Sequence, residues 1–150
     1  MIQEGTKAPT FTLPNATGEK HALEDFKGKT VILYFYPKDD TPGCTQEACD
    51  FRDNHSRFKK KGVEILGVSP DNEVSHQKFS SKYHLPFILL SDKEAKVSKE
   101  YGVYKQKSMY GKTYMGIERT TFIIDAEGKI QKIYPKVKVN GHIEDILKTL

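Results

Sequence analysis

Cys44 and Cys49 are the residues best able to do covalent chemistry in this 150-residue chain. A cysteine pair in a protein without secretory features is more often reactive or metal-binding than structural. The spacing of five is not the C-x-x-C of a dithiol oxidoreductase. Two Cys with five scattered His (His21, His55, His76, His84, His142) also give no zinc-ligand spacing. The chain leading into Cys44 reads Pro37-Lys38-Asp39-Asp40-Thr41-Pro42-Gly43-Cys44. Thr41 suits a helix N-cap and Pro42 suits the first helical position, where its missing N–H would be unpaired anyway. Cys44 then falls third in the first turn, where free backbone N–H groups and the helix macrodipole favour the thiolate over the thiol. The alternative is an inert, buried Cys that happens to begin a helix.

Cys49 adds a geometric constraint. On an intact helix, residues five apart have Cα atoms about 8.7 Å from each other and point some 140° apart. A disulfide needs roughly 4.4–6.8 Å. A Cys44–Cys49 bond therefore requires the first turns of the helix to unwind, making it a switch rather than a staple. Otherwise Cys49 is a core residue beside Ala48 and Phe51.

The elements that must position these thiols follow from periodicity. Val31 to Tyr36 is apolar throughout, as in a strand buried on both faces. Thr41 to Lys61 fits a helix that ends at Gly62, with Lys59 to Lys61 complementing its negative pole. Val63 to Ser69 reads as a strand, Glu73 to Tyr83 as a helix, Phe87 to Leu90 as a strand and Ala95 to Tyr101 as a short helix. Thr120 to Ile124 and Ile130 to Tyr134 read as a hairpin around Asp125-Ala126-Glu127-Gly128, and Ile143 to Leu150 closes as a helix. The order predicts an α/β fold of thioredoxin-like type, a central mixed β-sheet flanked by helices. The first 29 residues, with Pro9, Pro14 and Gly18, read as an N-terminal extension, an edge hairpin or loop packed on that core.

Composition narrows the function classes. The length suits a single domain over residues 1–150, burying about 68–70% of the unfolded surface without a metal or disulfide scaffold. Six residues is the longest apolar run, against the ~20 needed to span a bilayer, and MIQEGTKAPTF lacks a signal-peptide core. A cytoplasmic protein without a membrane partner is expected. The net charge of +4 comes from dispersed Lys, with only Arg52, Arg57 and Arg119 as arginines. Nucleic acid is not an expected partner, since its readers lean on clustered Arg.

Pro37, Thr41 and Cys44 match the P-x-x-x-T-x-x-C signature of the peroxiredoxins, thiol peroxidases on a thioredoxin-like fold. Cys49 in CTQEAC resembles the resolving position of the bacterioferritin-comigratory-protein or peroxiredoxin Q subfamily. GVSPD at 67–71, LPFILLSD at 85–92 and KSMYGKTYMGIERTTFIID at 107–125 are similar to that subfamily too. The resemblance implies a peroxidatic Cys44, a resolving Cys49, an active-site Arg119 and a pocket-shaping Pro37. It implies a redox disulfide between Cys44 and Cys49, peroxide substrates, a thioredoxin- or glutaredoxin-like reductant and no cofactor or metal. With no third Cys for resolution between subunits, a monomer suffices. Negative charge moving from sulfur to the leaving oxygen would be met by donors: Arg119, the Thr41 hydroxyl and the N–H groups of Gly43 and Cys44. Tyr34 and Tyr36 could form an aromatic collar, and Glu47 either orients Arg119 or simply answers the helix dipole. Two other readings stay open: a thiol–disulfide oxidoreductase acting on protein disulfides, and a redox sensor whose opened helix exposes Phe51 and Phe58.

Overall fold

A computed structural model describes residues 2–150. Met1, which begins the expected leaderless N-terminus, lies outside the described residues. A hairpin of β1 (Thr12–Pro14) and β2 (Lys20–Ala22) and a 3₁₀ turn at Leu23–Phe26 precede the main sheet. Then follow β3 (Thr30–Phe35), α1 (Pro42–Asp53), α2 (His55–Lys60), β4 (Val63–Ser69), α3 (Glu73–Tyr83) and β5 (Ile88–Ser91). The chain continues through α4 (Lys96–Glu100), β6 (Tyr104–Met109), β7 (Lys112–Ile117), β8 (Thr120–Ile124), β9 (Ile130–Tyr134) and α5 (His142–Thr149).

Five strands make the central sheet in the order β5-β4-β3-β8-β9. β3 pairs in parallel with β4 and β4 with β5, while β8 runs antiparallel to both β3 and β9. This is a mixed sheet of thioredoxin-like type, with β3 at its centre. Side chains alternate across a strand, so Val31, Leu33 and Phe35 enter one core layer and Ile32, Tyr34 and Tyr36 the other. The first layer holds Val97 and Tyr101 together with Phe11 and Leu13 of the N-terminal extension. The Tyr101 hydroxyl donates to the Pro9 carbonyl at 2.6 Å, pinning that extension to the sheet. The second layer holds Cys44, Ala48 and Phe51 of α1, Phe79 of α3 and Ile146 of α5. Burying each such large apolar side chain stabilises the fold by about 1.5–3 kcal/mol.

Two expectations need correction. The helix expected from Thr41 to Lys61 is two helices, because Asn54 leaves helical geometry (φ −111°, ψ 8°) and donates its side-chain amide to the Asp50 carbonyl at 2.8 Å. Asn side chains compete for backbone groups in this way and disfavour helix interiors. The hairpin β6–β7 is absent from the elements that periodicity predicts. It turns through Tyr110-Gly111, both with positive φ (52° and 78°), as a two-residue hairpin of the right twist requires.

Candidate functional site

Thr41 is the N-cap residue of α1, in extended geometry (φ −103°, ψ 156°), with Pro42 in the first turn. Its side chain does not cap the helix; the hydroxyl donates to the Lys38 carbonyl at 2.8 Å. This corrects the expected donor role toward an oxyanion: with its proton engaged, Thr41 Oγ1 offers the pocket lone pairs, not a hydrogen. The first backbone bond of the helix runs from Thr45 N–H to the Thr41 carbonyl. Gly43 and Cys44 keep the free N–H groups of the first turn, aimed at whatever anion sits there.

Cys44 is 2% exposed, in a cluster with Tyr34, Tyr36 and Ala48. Arg119 lies between β7 and β8, and its Nη2 donates to Cys44 Sγ at 3.3 Å while Nη1 donates to Glu47 Oε1 at 2.7 Å. Glu47, one turn beyond Cys44, is 1% exposed. It is therefore an arginine-orienting residue rather than a surface acid answering the helix dipole. Burial opposes the charge of Arg119, but Glu47 and Cys44 outweigh that and hold the guanidinium protonated. A Cβ on Gly43 would lie 3.0 Å from Arg119 Nη2, so glycine leaves room for the guanidinium to reach the sulfur.

Burial pushes the Glu47 carboxyl up to about 7, with Arg119 pulling the other way. The folded state thus holds a proton on Glu47 that the unfolded chain releases near 4.5. Stability from this group is full below pH 4.5 and is lost as pH rises toward 7. Urea unfolding across that window tests this. Wild type loses up to roughly 3 kcal/mol relative to Glu47→Gln as pH rises, since each tenfold difference in proton affinity is worth about 1.4 kcal/mol. Parallel curves for the two proteins contradict it.

Cys49 is half-buried on the same unbroken helix, both thiols being free. Burial pushes its thiol up, keeping it protonated while the helix is closed. It borders a shallow depression with Thr41, Pro42 and Tyr83. Pro37 lines a neighbouring groove of about 430 Å³ with Lys107, Tyr114 and Met115 of the β6–β7 hairpin. Lys107 is lowered by burial and by the nearby Arg119 charge, which places the hairpin's Lys at the edge of the site. Tyr34 and Tyr36 are each 1% exposed and stack 5.4 Å apart beneath Cys44. They form a core floor, not an exposed collar. Among the described residues no helix is long and apolar enough to cross a membrane.

A thiol at a helix N-terminus, paired with an arginine that precedes β8, defines a thiol-based redox site on a thioredoxin-like fold. Residues 5–133 match the AhpC/TSA family. The chain is 58% identical to the putative peroxiredoxin Bcp of Coxiella burnetii over 99% of both chains. It is 52% identical to peroxiredoxin Bcp of Bacillus subtilis over 99% of this chain and 95% of that one. Among solved structures, the Xanthomonas campestris bacterioferritin comigratory protein, studied for alkyl peroxide reduction, superposes with a TM-score of 0.91. It shares 39% identity, covering 97% of this chain and 96% of that one. A cysteine-to-serine mutant of Xylella fastidiosa PrxQ gives 0.93 at 34% identity, covering 99% and 94%. The chain belongs to the AhpC/TSA family and, within it, to the Bcp/PrxQ peroxiredoxins. It is a thiol peroxidase.

Proposed function

We propose that residues 1–150 act as a single domain in which Cys44 reduces hydrogen peroxide and alkyl hydroperoxides, with Cys49 resolving and a thioredoxin- or glutaredoxin-like dithiol restoring both thiols. The observation that carries this reading is the 3.3 Å contact of Arg119 Nη2 with Cys44 Sγ at the start of α1. The Cys44 thiolate attacks the terminal peroxide oxygen. The S–O bond forms as the O–O bond breaks, sulfur is oxidised to sulfenic acid, and the pair of electrons leaves on the distal oxygen, which takes a proton. Arg119 and the first-turn N–H groups follow the charge as it moves from sulfur to oxygen. Thr41 Oγ1 accepts the hydrogen of the incoming hydroperoxide, orienting its terminal oxygen toward sulfur, and Pro37 shapes the loop and shields the pocket from water.

Resolution then needs the first turns of α1 to unwind, which also frees Cys49 from the burial that keeps it protonated. Its thiolate attacks Cys44 sulfenic acid, forming the disulfide and expelling hydroxide, which becomes water. The cycle is complete within a cytoplasmic monomer. Cys49→Ser tests it: Cys44 oxidises once at close to the wild-type rate, its sulfenic acid is trapped by dimedone, and thioredoxin-driven turnover stops. Full turnover in Cys49→Ser contradicts the resolving role. The protein-disulfide reductase and sensor readings lack a comparable observation, since neither uses an arginine placed for a developing oxyanion.

A further inference from the structure

Asp39 carries a side chain that is only 3% exposed, in the loop that delivers Thr41 and Pro42 to α1. Its Oδ1 accepts from the Tyr36 hydroxyl at 2.6 Å. Its Oδ2 accepts from the Ser75 hydroxyl at 2.8 Å and faces His76 Nδ1 at 2.7 Å. His76, on α3, is fully buried, and its Nε2 meets the Leu90 carbonyl of β5 at 2.9 Å. A carbonyl can only accept, so Nε2 bears a hydrogen, and one further proton lies between Nδ1 and the carboxylate. The Asp39 N–H donates to Asp71 Oδ2 at 2.8 Å, tying the loop to the end of β4 as well. Asp39, Asp71 and His76 have a metal-like grouping, within 4.8 Å of one another. Yet Asp39 and His76 spend all their side-chain polar atoms on each other, on the Tyr36 and Ser75 hydroxyls and on the Leu90 carbonyl, while Asp71 Oδ2 accepts from the Asp39 N–H and the Ser69 hydroxyl, which makes the grouping a hydrogen-bonded latch. Beyond it the loop is strained at Asp40, whose φ of 57° lies in the left-handed region. Such geometry persists only where the surroundings enforce it.

We propose that Asp39 and His76 are positioning residues for peroxide reduction: their buried pair anchors the loop to α3 and β5 and so fixes Thr41 and the first turn of α1 around Cys44. Neither touches the reacting atoms. The effect passes through the Lys38 carbonyl, one residue from Asp39, which holds the Thr41 hydroxyl, and through the backbone that sets the helix start. A latch upstream of Thr41 also marks where unwinding stops, since the chain before Asp39 stays fixed to the sheet while residues beyond it open.

The inference rests on the peroxidase reading and is tested in full-length Cys49→Ser protein, which leaves one thiol to follow. Second-order rates of Cys44 with hydrogen peroxide and with iodoacetamide are compared in Asp39→Asn, His76→Phe and His76→Asn, each checked for native circular dichroism. Misplacing Thr41 penalises the peroxide, which needs orientation, more than the alkylating agent, which does not. Asp39→Asn and His76→Phe are expected to lower the peroxide rate roughly tenfold or more relative to alkylation. His76→Asn, which keeps a donor near the Nδ1 position, restores most of it. If His76→Phe does not fold, the conservative Asp39→Asn decides alone. An unchanged rate ratio in folded variants, or equal losses in both reactions, overturns the positioning role. Failure of the parent Cys49→Ser protein to react with peroxide removes the peroxidase reading and the inference with it.

Discussion

Cys44→Ser is expected to consume no peroxide above the buffer background. A serine hydroxyl is far less acidic than a cysteine thiol, and oxygen lacks the soft nucleophilicity that lets a thiolate cleave an O–O bond. The substitution is small at a 2% exposed position, and Arg119, which donates to Sγ from 3.3 Å, can donate to a hydroxyl in its place. The variant should therefore fold, as near-ultraviolet circular dichroism can verify, so that its loss of activity reports chemistry. Cys49 remains in this variant but is held protonated by burial, and Arg119 donates to position 44 rather than to it. Peroxide consumption by folded Cys44→Ser would place the reactive group elsewhere.

Arg119→Ala should lower the second-order rate of Cys44 oxidation by about 10²–10³, the cost of removing one preorganised donor from a developing oxyanion. The guanidinium reaches two groups at once, Cys44 Sγ at 3.3 Å and Glu47 Oε1 at 2.7 Å, and its removal acts on both. Breaking a buried ion pair by deleting one partner usually costs about 3–5 kcal/mol. Here the loss is smaller below neutrality, because the Glu47 carboxyl, pushed up to about 7, already carries a proton there and leaves no unpaired buried charge behind. Arg119→Lys separates charge from geometry. Lysine keeps the positive charge but is a point donor that cannot bridge sulfur and carboxylate together. It should therefore fall between wild type and Arg119→Ala. Stopped-flow rates at one pH settle the order, and equal rates in wild type and Arg119→Ala remove the arginine from the site.

The parts of this arrangement that are legible in the sequence are local. Val31 to Tyr36 announces a doubly buried strand because every position is apolar, and Thr41-Pro42 announces a helix start because cap and first-turn preferences act within a few residues. The N-terminal hairpin and the β8–β9 hairpin carry their own turn residues. Pairings across long sequence separation are not legible. Glu47 meets Arg119 across 72 residues, and Asp39 meets His76 across 37. Glu47 alone reads either as a partner for Arg119 or as an acid answering the helix dipole, and Asp39 and His76 read as an ordinary surface charge and an isolated His until the fold brings them together. The resemblance to peroxiredoxins supplies Arg119, whereas Asp39 and His76 have no such signal. The β6–β7 hairpin escapes for a different reason: most of its residues are exposed, so no apolar face marks its period. Its one readable cue is Tyr110-Gly111 between two polar stretches of matched length. The helix break at Asn54 is obscured because apolar residues continue in phase on both sides, from Phe51 to Phe58.

The claim at the centre of the account is that Cys44 turns over peroxide with electrons delivered through Cys49. The most direct test follows NADPH oxidation in a mixture of hydrogen peroxide, thioredoxin, thioredoxin reductase and the reduced protein. Sustained NADPH consumption that scales with protein concentration and disappears in Cys44→Ser is the predicted result. A flat trace, with the Cys44 peptide still unmodified by mass spectrometry after peroxide addition, contradicts it.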